Sequence, residues 1–127
     1  MSQQEISTLE APQAIGPYSQ AILHNGLVYC SGQIPLDPKT GELVQESIEA
    51  ETHRVMQNLQ AVLRAAGSDL RGIIRTTIYL QNLENFAKVN EVYASYLSKP
   101  YPARATIQVA KLPRGAGVEI DAIARQL

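Results

Sequence analysis

PARATIQVAKLPRGAGVEI, residues Pro102 to Ile120, reads as a strand, a turn and a strand. From Arg104 the residues alternate, with Arg104, Thr106 and Gln108 on one face and Ala105, Ile107 and Val109 on the other, the period-two signature of a half-buried strand. Pro113 to Gly117 interrupts the pattern with residues suited to a chain reversal. A second alternation follows: Val118, Ile120, Ala122 and Ala124 share one face, Glu119 and Asp121 the other. The two strands are expected to be neighbours, with Arg104 and Glu119 meeting across them. A guanidinium facing a carboxylate on a sheet is either an ion pair that holds the sheet or a site that grips a carboxylate ligand.

Working outward, Gly72 to Leu80 is rich in Ile and Thr and reads as a central strand, with Ile74, Thr76, Ile78 and Leu80 on one face and Ile73, Arg75, Thr77 and Tyr79 on the other. Between it and the first stretch, Asn82 is a suitable N-cap, and Phe86, Val89, Tyr93, Tyr96 and Leu97 form the apolar face of a helix that Pro100 and Pro102 stop. Upstream, the period changes again. Ile48, Val55, Met56, Leu59, Val62, Leu63 and Ala66 recur at three- and four-residue steps from about Ser47, an amphipathic helix that Gly67 ends. Glu49, Glu51, Arg54 and Arg64 fall off that stripe and are expected to be solvated. Ala21 to Leu23 and Leu27 to Cys30 flank His24-Asn25-Gly26, a hairpin signal, and a short edge strand is expected around Glu5 to Leu9.

The order strand, strand, helix, strand, helix, strand, strand predicts an α+β layer: a mixed sheet with two helices on one face. Two helices leave the other face bare. That face is expected to carry Arg75, Thr77, Tyr79, Arg104, Thr106 and Glu119, or their opposites, and to be covered by another copy of the chain.

Composition narrows the function classes. A chain of 127 residues, 45% hydrophobic and 18% charged, suits one folded domain over residues 1–127. A net charge of −1 and the lack of a Lys/Arg run argue against nucleic acid as a partner. The lone Cys30 excludes an internal disulfide or a multi-thiolate metal site and suits a reducing compartment, so a cytoplasmic location is expected. No apolar run approaches membrane-spanning length, and Met1 to Gln13 has no targeting pattern. Among the remaining candidates, Cys30 reads as a small core residue, His24 as a turn residue and His53 as solvated. Arg114-Gly-Ala-Gly lacks the third glycine and the following helix of a phosphate loop and reads as a turn.

Several motifs together carry a resemblance. Ile15-Gly-Pro-Tyr-Ser-Gln-Ala, Ser31-Gly-Gln-Ile-Pro, the helix ending Ala65-Ala-Gly, Asn90, Pro102-Ala-Arg and Val118-Glu-Ile resemble the Rid (reactive intermediate deaminase, YjgF-type) family, RidA branch, nearly end to end. The resemblance implies a chorismate-mutase-like fold, a homotrimer with clefts between subunits, and hydrolysis of small 2-imino acids derived from 2-aminoacrylate or 2-aminocrotonate to 2-oxo acids and ammonia. It implies no cofactor and no metal. By position, Arg104 would hold the substrate carboxylate and Glu119 would orient or protonate around the attacking water. Tyr18, Ser31, Gly32 and Asn90 would line the cleft. Thr106 stands where the family often has cysteine, so a thiol role is absent while its backbone carbonyl remains able to hold water. The competing reading is a non-catalytic trimer that binds 2-oxo or amino acids through the same Arg104; a third, ribonuclease, gains little from the acidic balance and the lack of a His pair.

Overall fold

The computed structural model describes residues 2–127. Six strands form one sheet: β1 (Gln4–Ile6), β2 (Ala21–His24), β3 (Leu27–Gln33), β4 (Ile73–Leu80), β5 (Ala103–Gln108) and β6 (Val118–Arg125), in the spatial order β1-β2-β3-β6-β4-β5. Only the β4–β5 pair is parallel, so the sheet is mixed. Helices α1 (Ile48–Ala65) and α2 (Phe86–Ser95) pack on one face. This is the α+β layer expected from the alternation of periods.

Local chemistry explains the elements. The β2–β3 turn needs two positive-φ residues, and Asn25 (φ 53°) with Gly26 (φ 76°) supply them. Ser47 caps α1 by accepting the Ala50 N–H at 3.0 Å. At the other end Gly67 (φ 78°) closes the helix, with Gly67 N–H donating to Arg64 O at 3.1 Å and Ser68 N–H to Leu63 O at 2.9 Å. Val55, Met56, Leu59, Val62 and Leu63 of α1 are fully buried against Val118, Ile120 and Ala124 of β6 and Val28 of β3. Each large side chain so buried contributes about 1.5–3 kcal/mol of transfer free energy. Cys30 lies in the same core, where burial first and the Asp121 charge second push its thiol up to about 12, beyond any nucleophilic use near neutrality.

Four expectations need correction. The strands β5 and β6 are not neighbours: β5 pairs with one edge of β4 in parallel and β6 with the other edge antiparallel, so β4 separates them. A period-two pattern fixes faces but not partners, and Pro113–Gly117 is a turn at the start of β6 rather than a hairpin tip. Next, a bulge between Ile73 and Arg75 shifts the start of β4, burying Ile73 and leaving Ile74 45% exposed. The edge strand β1 ends at Ile6, because Thr8 turns to the side chain of Gln20 instead. And the bare face does not carry Arg104 or Thr106: Arg104 stands opposite Thr76 and Thr106 opposite Ile78, both helix-side residues, whereas Glu119 stands opposite Tyr79 on the bare face with Arg75 and Thr77.

Candidate functional site

Arg104 is held by α2. Phe86, Asn90 and Tyr93 follow one another at steps of four and three, so they share one helical stripe, and that stripe faces the edge strand β5. Arg104 Nη1 donates to Asn90 Oδ1 at 2.6 Å. Its guanidinium carbon lies 5.5 Å from the centre of the Phe86 ring and 5.2 Å from that of Tyr93, within cation–π range of both. The Tyr93 ring is itself fixed: its hydroxyl and that of Thr76 are hydrogen-bonded at 2.7 Å in a buried position. A cavity of about 480 Å³ opens here, lined by Asn90, Tyr93, Ala94, Tyr101, Pro102 and Arg104. Two residues along the same face of β5, the Thr106 hydroxyl is buried without a hydrogen-bond partner. Among the described residues the one salt bridge is Arg64–Asp69, so Arg104 is pre-set by aromatic rings and an amide but not neutralised by a carboxylate.

Glu119 belongs to a second cavity, of about 510 Å³, with Tyr18, Ser31, Gly32, Ile15 and Pro113 among its walls. The pairing of β3 with β6 shifts register between Cys30 and Gln33, and this irregularity lets the Glu119 carboxyl lie directly on the Gly32 backbone. A Cβ at Gly32 would stand 2.8 Å from the Glu119 carboxyl carbon and closer still to Oε2, so any side chain here would displace the Glu119 carboxyl. Ser31 is turned by two bonds, its N–H donating to Gln20 O at 3.0 Å and its hydroxyl to Ser19 O at 2.6 Å. Buried Gln20 anchors the segment that carries Tyr18: its amide donates to Pro12 O at 2.7 Å and Thr8 O at 3.0 Å. Tyr18 itself is 53% exposed and projects into the opening. Burial raises the Glu119 carboxyl above the usual carboxylate range, and the neighbouring Asp121 charge raises it further. The sequence leaves the direction of that shift undetermined; the fold sets it upward.

Within one chain the expected site residues therefore form two groups. Tyr18, Ser31, Gly32 and Glu119 come together, and so do Arg104 and Asn90, but the groups occupy opposite faces of the sheet with β4 between them. A cross-strand Arg104–Glu119 ion pair is ruled out by that register. Phe86, Tyr93 and Tyr101 beside Arg104 were not among the expected site residues; Phe86 and Tyr93 read as core positions, although their spacing about Asn90 marks a shared stripe. Glu51, expected to be solvated, turns inward and accepts the Gly117 N–H at 2.8 Å, bracing the start of β6. His53 is exposed as expected, and its Nδ1 is hydrogen-bonded with the Tyr96 hydroxyl at 2.8 Å. Among the described residues no group of three or more His, Cys, Asp or Glu is placed to hold a metal ion, and no helix is long and apolar enough to cross a membrane.

The chain is thus an α+β layer with an uncompensated arginine at one sheet edge and a half-buried glutamate on the bare face. The family model described as Endoribonuclease L-PSP matches residues 8–126. A Myxococcus xanthus protein named DfrA is 53% identical over 126 residues, covering 98% of this chain and 96% of its own. The mouse protein named 2-iminobutanoate/2-iminopropanoate deaminase is 48% identical over 121 residues, covering 95% of this chain and 90% of its own. The crystal structure of RidA from the Antarctic bacterium Psychrobacter superposes with a TM-score of 0.92 at 45% identity, covering 96% of this chain and 98% of that one. This chain belongs to the L-PSP family, the Rid proteins that its motifs resemble.

Proposed function

We propose that residues 1–127 form one hydrolytic deaminase domain that converts small 2-imino acids, formed from 2-aminoacrylate and 2-aminocrotonate, to 2-oxo acids and ammonia. The observation that carries this reading is Arg104: a guanidinium caged by Phe86, Tyr93 and Asn90, with no protein carboxylate upon it, beside an open cavity. Its donor fork suits a substrate carboxylate bound in two-point fashion. We further propose that the Glu119 group of one copy faces the Arg104 group of another, so that the clefts of a homotrimer complete the site. The bare sheet face, with Tyr29 and Ile107 each more than 40% exposed, supplies the surface for that assembly.

In such a cleft the chemistry needs water, one cation and one proton carrier, and no cofactor or metal. Arg104 fixes the imine by its carboxylate. Protonated Glu119 gives its proton to the imine nitrogen as water adds to the carbon and the C=N π pair moves onto nitrogen. The carboxylate then removes a proton from the added water, leaving a carbinolamine. In the second half Glu119 again protonates nitrogen, the C–N pair leaves with ammonia, and the hydroxyl proton returns to Glu119 as the carbonyl forms. Two protons are given and two taken back, so the glutamate is regenerated. Tyr18, Ser31, Gly32, Asn90 and Thr106 shape the pocket, the Thr106 hydroxyl being buried and without a hydrogen-bond partner within one chain.

The test is ammonia and 2-oxo acid release while both imines are generated in situ. The wild type should accelerate hydrolysis, and Arg104→Ala and Glu119→Ala should each lose at least about a hundredfold, as expected for a lost anchor or proton carrier. A wild type that matches the uncatalysed rate yet binds 2-oxo acids through Arg104 is a small-acid binder instead. Saturable, salt-sensitive RNA binding or cleavage would replace both readings with the ribonuclease one.

A further inference from the structure

On the bare face, β6 carries a second carboxylate that the proposed reaction does not use. Asp121 lies two residues beyond Glu119 and so projects from the same side of the strand. It is not left to solvent. Tyr79 of β4 stands directly opposite Glu119, and its hydroxyl reaches along the strand to donate to Asp121 Oδ2 at 2.9 Å. Thr77 stands directly opposite Asp121 on β4. The result is a fixed anion beside a half-buried acid, braced from the neighbouring strand.

Resting on the deaminase reading, we propose that Asp121, braced by Tyr79, is a positioning residue whose carboxylate keeps Glu119 in the role of proton donor to the departing nitrogen. Every group around Glu119 bears on this. From β3 it meets Ser31 and the Gly32 backbone, and Cys30 points to the opposite face. Tyr18 approaches from the preceding loop, and Tyr79 from β4. Arg114, in the turn before β6, is drawn off to Gly41 O at 3.4 Å. In the proposed assembly the partner's Arg104 adds the one strong cation. That cation favours an ionised Glu119, and a glutamate that has already lost its proton cannot open the sequence of steps. Asp121 opposes it with a like charge on the near side. Burial and the Asp121 charge act in the same direction, upward, on the Glu119 carboxyl.

The experiment uses the full-length protein and two readouts. Asp121→Asn removes the charge and keeps the shape; Asp121→Glu keeps the charge. The rate requires protonated Glu119, so kcat falls as pH rises through its titration. In Asp121→Asn that fall should come at least about half a pH unit lower, as expected for a like charge at this range, with KM within about twofold. Asp121→Glu should retain the wild-type profile. In parallel, carbon-13 NMR of the Glu119 carboxyl should show its titration midpoint lowered in Asp121→Asn and not in Asp121→Glu. An unchanged midpoint in folded Asp121→Asn overturns the proposal, as does an equal loss of kcat at all pH values. A lowered midpoint in a protein whose wild type does not hydrolyse imines overturns the deaminase reading itself, and the proton-donor role with it.

Discussion

Gly32 has no side chain because Glu119 occupies the space that one would fill. A Cβ there meets the carboxyl carbon at 2.8 Å, so Gly32→Ala must push Glu119 off the β3 bulge. We predict that Gly32→Ala folds with the Tm lowered by only a few degrees and loses at least about tenfold in kcat, since a misplaced proton carrier is felt steeply. Circular dichroism melting and imine hydrolysis on the same preparation check this; wild-type kcat would mean that Glu119 needs no fixed position. At Arg104 the demand is different. The planar guanidinium fits between the Phe86 and Tyr93 rings while one nitrogen reaches Asn90, a set of contacts that a lysine ammonium cannot reproduce. Most of these residues were legible. Arg104, Glu119, Tyr18, Ser31 and Gly32 stand in motifs that survive without a structure. Phe86 and Tyr93 were not, because an aromatic on an apolar helical stripe looks the same whether it fills a core or faces a cation.

Among the elements, β6 organises both faces. Its even residues, from Val118 to Ala124, bury against α1, while Glu119 and Asp121 face outward. Alternation alone reveals those faces. What it does not reveal is that β6 enters the sheet between β3 and β4, since a long-range register depends on the whole layer rather than on the strand. Glu51 is the physical marker of that insertion. It lies in the first turn of α1 but accepts the Gly117 N–H, and Gly117 O in turn accepts the Gln81 N–H at 3.1 Å, tying helix, turn and β4 together. Burial raises the Glu51 carboxyl, against a smaller lowering by the Gly117 bond. A folded-state value above the unfolded one means that this group favours the fold most at low pH and does so less as pH rises through its titration. Glu51→Gln keeps an acceptor for Gly117 and removes the buried charge. We predict a Tm higher by about 1–2 °C at pH 8 and unchanged at pH 4, a shift equivalent to a few tenths of a kcal/mol. A lower Tm at pH 8 would show that the charge itself holds the turn.

For the whole molecule, the separation of the two half-sites is the governing fact. Arg104 and Asn90 lie at one edge on the helix side; Tyr18, Ser31, Gly32 and Glu119 lie on the bare face beyond β4. No side-chain rotation brings them together within one copy. The sequence pattern points to a second copy from the shortage of helices but sets Arg104 and Glu119 on one face, because strands adjacent in the chain need not be adjacent in the sheet. On the proposed reading the assembly is part of the chemistry rather than a cover for apolar surface. Arg104 and Glu119 would then act from different copies. The most direct measurement is imine hydrolysis by Arg104→Ala and Glu119→Ala chains, each inactive alone, after co-expression in equal amounts. In a ring, random mixing restores about a quarter of the sites, those where an intact Arg104 meets a neighbour's intact Glu119. Recovery to about that fraction is the predicted result; mixed assemblies with no more activity than either parent would contradict it.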